Sequence, residues 1–305
     1  MTAQSPSTSS GDSAAEQQGP SPEEVTPPAE KDYGRAGRNL PAAIGVGVGI
    51  GGAVLASILI YPPAFLVVAI IGVLAATWEL STALSRTGSD VYRPLTMTAA
   101  AGLVLSSWFG GREAVWVAFT LSAGIIMLVS LMTGRPNPVK EVSLSLFALT
   151  YVGLMAAFIV HILHQPQGEL LLITFLALAV SSDTGGYVFG VLWGKHPIAP
   201  RISPKKSWEG YAGSTVFAVT VGICMAVFAF EVPWWEGAVL GLVIPAFATL
   251  GDFSESMIKR DLDLKDMGNL LPGHGGVMDR LDSILPSAPV VLVLYTILPG
   301  FITTA

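Results

Sequence analysis

The chain has 305 residues, of which 51% are hydrophobic and only 12% are charged. A water-soluble domain carries about 25% charged residues because its surface must be solvated, so this composition excludes an ordinary soluble globule and indicates a protein that folds in lipid. The formal net charge of −6 argues against nucleic acid as a partner, because binding a phosphate backbone requires a basic surface. The single cysteine, Cys224, excludes an intrachain disulfide.

The first 39 residues differ from the rest of the chain. They are rich in Ser, Pro, Gln, Glu and Ala, and acidic side chains outnumber basic ones. Such a segment cannot bury enough apolar surface to offset the entropy of ordering it, and it lacks the basic and apolar regions of a signal peptide. The sequence therefore predicts a disordered acidic tail at 1–39, followed by a transmembrane catalytic domain at 40–305.

Apolar segments of bilayer-spanning length fill the second region. Leu40–Trp78 holds no charged residue; as one helix it would extend about 60 Å, twice the bilayer core of about 30 Å. Pro62 and Pro63 near its middle should break it into two spans. Seven further spans are predicted: Leu95–Gly110, Ala114–Met132, Val142–His161, Leu170–Leu192, Tyr211–Phe230, Trp234–Leu250 and Ile284–Thr304. The predicted fold is an all-α polytopic integral membrane protein with about nine transmembrane helices.

The basic residues give an independent test of this count. With the N-terminus in the cytoplasm, the cytoplasmic segments are 1–39, 79–94, 133–141, 193–210 and 251–283. Of the 16 Lys and Arg residues, all but Arg112 lie in these segments. Cytoplasmic loops are enriched in Lys and Arg, so we expect a multi-pass protein of the cell (inner) membrane with a cytoplasmic N-terminus, an extracytoplasmic C-terminus and an active site facing the cytoplasm.

Two of the segments assigned to the cytoplasm are rich in residues whose side chains can take part in catalysis or bind a ligand. Gly251–Ser283 follows the eighth span, and Ser181–Gly210 overlaps the end of the sixth. If the eighth helix continues inward, Asp252, Glu255, Ser256 and Lys259 fall on one face at spacings of three and four. Asp279 and Asp282 are also three residues apart, where the last span begins.

A glycine-rich loop, Leu271–Gly276, separates these two groups of acids. Backbone without Cβ atoms lets an anionic ligand approach the amide groups closely. Carboxylates without soft ligands suit Mg²⁺, which usually takes one or two of them together with substrate phosphates and water. For His274, within the loop, a role as a donor to phosphate and a structural role both stay open.

Asp183 lies inside the sixth predicted span. A carboxylate in an apolar span is costly and indicates a functional site, although a hydrogen bond to a neighbouring helix is the structural alternative. Small residues near it indicate close helix packing. They are Gly185, Gly186, Gly190 and Gly194.

The segment Ser203–Gly210 predicts a helix start, with Ser203 as the N-cap and Pro204 in the first turn. Lys205 and Lys206 follow at once. They either satisfy the bias of cytoplasmic loops toward positive charge or neutralise the phosphates of a nucleotide or lipid headgroup.

The spacing of the second polar segment carries a family resemblance. Four groups of residues closely resemble the signature of phosphatidate cytidylyltransferases. They are Ser256-Met257-Ile258-Lys259-Arg260, Lys265-Asp266, Leu271-Pro272-Gly273-His274-Gly275-Gly276 and Asp279-Arg280-Leu281-Asp282. The match runs over about thirty residues, which makes chance agreement improbable. Asp183, Gly186-Tyr187 and the Ser203–Gly210 block are similar to further blocks of that family.

The resemblance implies transfer of CMP from CTP to phosphatidic acid, with release of pyrophosphate. By the same resemblance Asp252 and Asp279 bind Mg²⁺, with a second, monovalent cation left open. These two acids with Lys259 and Arg280 would form the catalytic set. The substrate-binding set would be Asp183, Ser203, Lys205, Lys206, Lys259, Arg260, His274, Gly275 and Gly276. The implied partners are CTP, phosphatidic acid and membrane lipids, and a homodimer is left open.

Two other functions compete with this interpretation. A CTP-dependent polyprenol or lipid kinase would share the membrane topology and the nucleotide. An ion-coupled secondary transporter would use Asp183 as an ion site, but it also predicts repeat symmetry between the halves. Residues 40–160 contain no counterpart of the two polar segments.

Overall fold

The computed structural model describes residues 40–271 and 275–303. The tail predicted at 1–39 lies outside the described residues, and so does His274. Helices make up nearly all of the described chain, apart from one short hairpin. The helices are α1 Leu40–Ile60, α2 Pro63–Leu84, α3 Arg93–Thr133, α4 Pro138–Ala148, α5 Met155–Ile162, α6 Gly168–Trp193, α7 Trp208–Cys224, α8 Trp234–Asp261, α9 Met278–Leu281, α10 Ile284–Ile297 and α11 Pro299–Thr303.

Several of these helices join into longer spans. A π-helical segment, Leu149–Leu154, connects α4 to α5, and a second, Met225–Ala229, extends α7. The break between α1 and α2 falls at Pro62 and Pro63, as predicted, because proline cannot donate the backbone hydrogen bond that would continue α1.

Helix α3 consists of two antiparallel halves. It contains 41 residues, but Gly111 has φ 68° and ψ −162°, which is not helical. A straight helix of that length would separate its ends by about 60 Å. Instead, the hydroxyl oxygens of Tyr92, just before α3, and Thr133, at its end, are 3.3 Å apart. The chain therefore reverses at Gly111, between the two spans predicted there.

Seven helices of the described residues are long and apolar enough to cross a membrane, with α3 counted once, and the apolar helix Gly47–Ile60 is shorter. Dividing α3 at Gly111 and including α1 gives one helical segment for each of the nine predicted spans. The prediction of an all-α polytopic membrane protein is confirmed. One boundary was wrong: the last span is interrupted at Leu298, whose extended backbone precedes Pro299.

Segments predicted to share a side of the membrane contact each other. The Lys140 ammonium donates to the carbonyl of Thr87 at 2.6 Å, joining two segments assigned to the cytoplasm. At the other end of the bundle, the Tyr295 hydroxyl donates to the carbonyl of Pro166 at 2.6 Å. The alternation of the helices is therefore consistent with the predicted topology, whereas the side that faces the cytoplasm stays a prediction.

The predicted helix start at Ser203 was wrong. Ser203–Ser207 is strand β2, which pairs antiparallel with β1, Pro197–Ala199. A two-stranded sheet has only edge strands, and such strands accommodate Pro204. The helix N-cap is Ser207, whose hydroxyl accepts a hydrogen bond from the Gly210 amide at 3.1 Å. The helix therefore begins at Trp208, and the two lysines lie on the strand.

Helices α6 and α7 pack through their glycines, as predicted. A Cβ on Gly185 would collide with the backbone of Gly213, and a Cβ on Gly190 would contact Gly210 at 3.8 Å. The Ser214 hydroxyl donates to the carbonyl of Ser182 at 2.7 Å. This close contact brings the polar part of α6 against the start of α7.

Candidate active site

A cavity of about 410 Å³ lies where α6, β2, the start of α7, the inner part of α8 and α9 meet. Its lining joins the two polar segments that are far apart in sequence. Six of the predicted site residues line it: Asp183, Lys205, Lys206, Asp252, Asp279 and Arg280. Its size is in the range of small-molecule sites.

Asp252 lies on the continuation of α8. The helix runs without interruption to Asp261, so Asp252, Glu255 and Lys259 share a face, as predicted. The Lys206 ammonium donates a hydrogen bond to Asp252 Oδ2. This ion pair joins β2 to α8, and both side chains retain partial exposure on the cavity wall.

A buried ion-pair network lies behind Asp252. Lys259 Nζ donates to Glu255 Oε2 at 2.5 Å and to Asp279 Oδ1 at 2.9 Å. Glu255 is fully buried. Buried charges are tolerated only when they are paired and hydrogen-bonded, so Lys259 neutralises two acids and fixes α8 against α9. Lys259 does not line the cavity itself but contacts it through Asp279.

Asp279 also binds the backbone of the preceding loop. Its Oδ2 accepts hydrogen bonds from the amides of Met267 at 3.0 Å and Gly276 at 2.9 Å. Gly276 has no space for a side chain, since a Cβ would lie 2.9 Å from Asp279 Oδ2, and Gly275 has φ +82°, which favours glycine. The two glycines therefore let the loop approach the carboxylate closely, and neither lines the cavity.

Two more predicted residues also lie outside the cavity lining. The Arg260 guanidinium is exposed, and its Nε donates to the carbonyl of Ile202 at 3.3 Å, which ties α8 to the β-hairpin. Ser203 pairs with Ala199 within that hairpin. Their contact with substrate stays a prediction.

Asp183 is exposed toward the cavity. Asp252, Lys206 and Arg280 line the same cavity and act electrostatically on its carboxyl. Among the described residues, no hydrogen bond ties its carboxyl to a neighbouring helix, so the structural alternative weighed from the sequence is not supported.

Sequence reasoning gave no role to two acids beside the cavity. Asp282 lines it, and its carboxyl is within hydrogen-bonding reach of Asp252 and Glu255; its spacing of three from Asp279 was the available signal. Glu79 contacts the loop behind Asp279 from α2. Only its place at the inner end of an apolar span distinguished it in the sequence.

The carboxylates of the cavity fit a divalent cation shared with a ligand. Within residues 40–271 and 275–303, no three His, Cys, Asp or Glu side chains form a closed metal site. Mg²⁺ needs only one or two carboxylates when phosphates and water complete its coordination. Asp279 accepts four contacts from three donors: Lys259 and Met267 on Oδ1, and Met267 and Gly276 on Oδ2. Because a carboxylate has about four acceptor positions, a metal ion at Asp279 would displace one of these contacts.

Fold and cavity together define a polytopic membrane protein with a charged, nucleotide-sized site at one end of its helical bundle. The sequence profile of the cytidylyltransferase family matches residues 42–298. The phosphatidate cytidylyltransferase of Mycobacterium leprae is 38% identical over 285 residues, which cover 88% of this chain and 91% of the relative. That of Bacillus subtilis is 36% identical over 156 residues, 50% of this chain and 58% of the relative.

The chain therefore belongs to the cytidylyltransferase family, a family of membrane enzymes that transfer nucleotidyl groups. The resemblance inferred from the signature residues is confirmed. Neither the lipid kinase nor the transporter is favoured by these comparisons.

Proposed function

We propose that this protein transfers CMP from CTP to phosphatidic acid, forming CDP-diacylglycerol and pyrophosphate in phospholipid biosynthesis. The observation that carries the proposal is the mixed charge of the cavity. Asp183, Asp252, Asp279 and Asp282 line it together with Lys205, Lys206 and Arg280. A site for a bare anion would exclude acids, whereas a nucleotide triphosphate with its divalent cation requires both signs of charge.

In the proposed reaction, an oxygen of the phosphatidate phosphate attacks the α-phosphorus of CTP. A new P–O bond forms, the bond from the α-phosphorus to the oxygen bridging to the β-phosphorus breaks, and pyrophosphate leaves with that electron pair. The attacking phosphate monoester is already anionic near neutral pH, so this step requires no general base. The main obstacle is the repulsion between two polyanions, which positive groups in a preorganised site relieve.

The proposed roles follow from position. Lys205, Lys206 and Arg280 contact the phosphates, and Lys206 exchanges Asp252 for a phosphate oxygen when CTP binds. Asp252 and Asp279 would hold Mg²⁺, with Asp282 beside Asp252. The bound metal supplies charge neutralisation on the phosphates. Lys259 keeps Asp279 in place through its 2.9 Å hydrogen bond. A second, monovalent cation and a homodimer stay expectations from the sequence.

The proposed location is the cell (inner) membrane with the cavity open to the cytoplasm. CTP is a cytoplasmic metabolite, and three basic residues from segments assigned to the cytoplasm, Lys205, Lys206 and Arg280, line the cavity. Phosphatidic acid would reach the site from the lipid phase.

The test is an assay of the purified, full-length protein in detergent micelles with CTP, phosphatidic acid and Mg²⁺. The proposal expects a CMP-bearing lipid and one pyrophosphate per turnover. Transfer of phosphate to a polyprenol with release of CDP would instead identify a kinase. Absence of nucleotide turnover in a correctly folded sample would contradict both enzymes.

A further inference from the structure

Glu79 connects the first half of the chain to the site in the second half. It lies on α2 and is 3% exposed, which is unusual for a carboxylate near the end of a span. Its Oε2 accepts a hydrogen bond from the Met278 amide at 2.9 Å, across 199 residues of sequence. Met278 precedes Asp279, so Glu79 contacts the first turn of α9.

The loop before α9 surrounds the Glu79 carboxyl. A Cβ on Gly276 would lie 2.5 Å from Oε2, and a Cβ on Gly268 would collide with Oε1. Neither glycine has a positive φ, so glycine is needed at both positions for space. We call the backbone of Met267–Leu271 together with Gly275–Val277 the motif loop.

Two carboxylates therefore contact the motif loop. Asp279 accepts from the amides of Met267 and Gly276, and Glu79 accepts from Met278 immediately after the loop. Gly276 lies between them, because its Cβ position is within 3 Å of an oxygen of each. The two acids share one segment of backbone, so displacing one of them displaces the segment that orients the other.

Burial alone does not account for Glu79. The Met278 amide donates to its Oε2, and the amides of Leu270 and Val277 in the motif loop also interact with the carboxyl. No described donor reaches normal hydrogen-bond geometry with the buried Oε1. An apolar residue at this position would leave the buried Met278 amide without its acceptor, which destabilises the fold. The carboxylate is therefore matched to the backbone around Asp279.

We infer that Glu79 is a positioning residue for the transfer reaction: by binding the motif loop from α2, it sets the orientation in which Asp279 faces the cavity. The inference rests on the proposed function for its readout. Glu79 does not line the cavity, so its effect on turnover passes through the loop and Asp279. Because nucleotide binding depends on Asp279, loss of the Glu79 contact weakens productive CTP and Mg²⁺ binding.

Glu236 provides a matched control on the same chain. It is fully buried on α8 and accepts hydrogen bonds from the amides of Gly300 at 2.7 Å and Phe301 at 3.3 Å. Glu236 resembles Glu79 in that both are buried carboxylates on one helix that accept hydrogen bonds from the backbone of another. Glu236 lies near the start of α8, whereas Asp252 and the cavity lie near its end.

The experiment compares Glu79→Gln and Glu236→Gln in the full-length protein in micelles, with turnover expressed per folded enzyme. For Glu79→Gln we expect the KM for CTP and the Mg²⁺ midpoint to rise by about tenfold to hundredfold, because a misplacement of about 1 Å can cost up to about a hundredfold. Glu236→Gln should lower the melting temperature but leave both constants near wild type. A folded Glu79→Gln enzyme with wild-type constants overturns the inference.

A second pair of variants keeps the inference testable if Glu79→Gln does not fold. Gly268→Ala places a methyl group against Oε1, and Gly72→Ala is its control. We expect Gly268→Ala to raise the KM for CTP, because the methyl group forces the loop away from the carboxyl. Gly72→Ala, on the same helix as Glu79 and with nothing within 4 Å of its Cβ position, should leave the KM unchanged. A wild-type KM for Gly268→Ala would show that the contact does not position the loop. A wild-type enzyme that forms no CMP-bearing lipid contradicts the proposed function instead.

Discussion

Lys206 on β2 and Asp252 on α8 form an ion pair across 46 residues of sequence. The pair joins the polar segment after the sixth span to the one after the eighth, and both residues line the same cavity wall. The Lys206 ammonium also lies 5.1 Å from the centre of the Phe253 ring, which holds it on the α8 side. Each residue neutralises the other on the cavity wall. Under the proposed function, binding of CTP and Mg²⁺ would exchange this pair for contacts to phosphate and metal.

Asp279→Asn should lower the rate of CMP transfer by roughly two to four orders of magnitude, because it removes the charge that faces Mg²⁺ and Lys259. The amide keeps the shape, but its NH₂ group would face a donor, either Lys259 or the amides of Met267 and Gly276, so the rate is expressed per folded enzyme. The control is Asp263→Asn: Asp263 is exposed with φ 52°, a conformation that asparagine adopts readily. The measurement is CMP transfer by both variants over a Mg²⁺ titration. Near-wild-type activity of Asp279→Asn with unchanged metal dependence would place the metal elsewhere.

Lys206→Met should raise the KM for CTP by about tenfold or more, because a charge-assisted hydrogen bond to phosphate is lost. The exposed Lys195, which does not line the cavity, gives the control Lys195→Met. The measurement is the KM for CTP of both variants, from steady-state kinetics at varied CTP concentration. Equal effects of both substitutions would indicate a general contribution of surface charge instead of a specific phosphate contact.

A close glycine contact should determine stability far from the cavity. Gly222 on α7 and Gly237 on α8 approach so closely that a Cβ on either would collide with the carbonyl of the other. Gly222→Ala should destabilise the protein by about 1–3 kcal/mol through overpacking. Gly102→Ala is the control, because nothing lies within 4 Å of its Cβ position. Thermal unfolding in detergent measures both, and equal melting temperatures would contradict the close packing.

The topology is tested by a reporter fused after Ala305, which we expect outside the cytoplasm. The reason is that all Lys and Arg residues except Arg112 lie in segments assigned to the cytoplasmic side. A matched fusion after Gly134, between the fourth and fifth predicted spans, should report the cytoplasm. A cytoplasmic signal from the C-terminal fusion would mean that the number of spans is even.

Deletion of residues 1–30 should leave CTP-dependent activity within a few-fold of the full chain, because these residues have no apolar anchor with which to pack against the bundle. Activity per folded enzyme after insertion into micelles is the measurement. A loss of about a hundredfold would be inconsistent with a solvated tail and would assign it a direct part in the reaction.

The span pattern was readable from the sequence because lipid imposes it locally. In lipid, an apolar segment must satisfy its backbone hydrogen bonds internally, as a helix does. A span such as Leu170–Leu192 can therefore be predicted from its own residues, without knowledge of the helices that pack against it. The kinked α3 shows the same principle, since charge at Arg112 and Glu113 and flexibility at Gly111 already divide it into two spans. The start of α7 was misplaced because Ser203 and Ser207 are equally good N-caps locally, and only the pairing of β2 with β1 decides between them.

The sequence by itself determined the membrane class, the alternation of the spans and the two segments that carry the chemistry, since each follows from composition and spacing along one stretch of chain. Only the tertiary structure decided which of their side chains meet. It pairs Lys206 with Asp252, turns Arg260 toward the hairpin, and brings Glu79 from the second helix to the loop before Asp279. Contacts between residues 46 to 199 positions apart depend on how whole helices pack, and no local pattern records that packing.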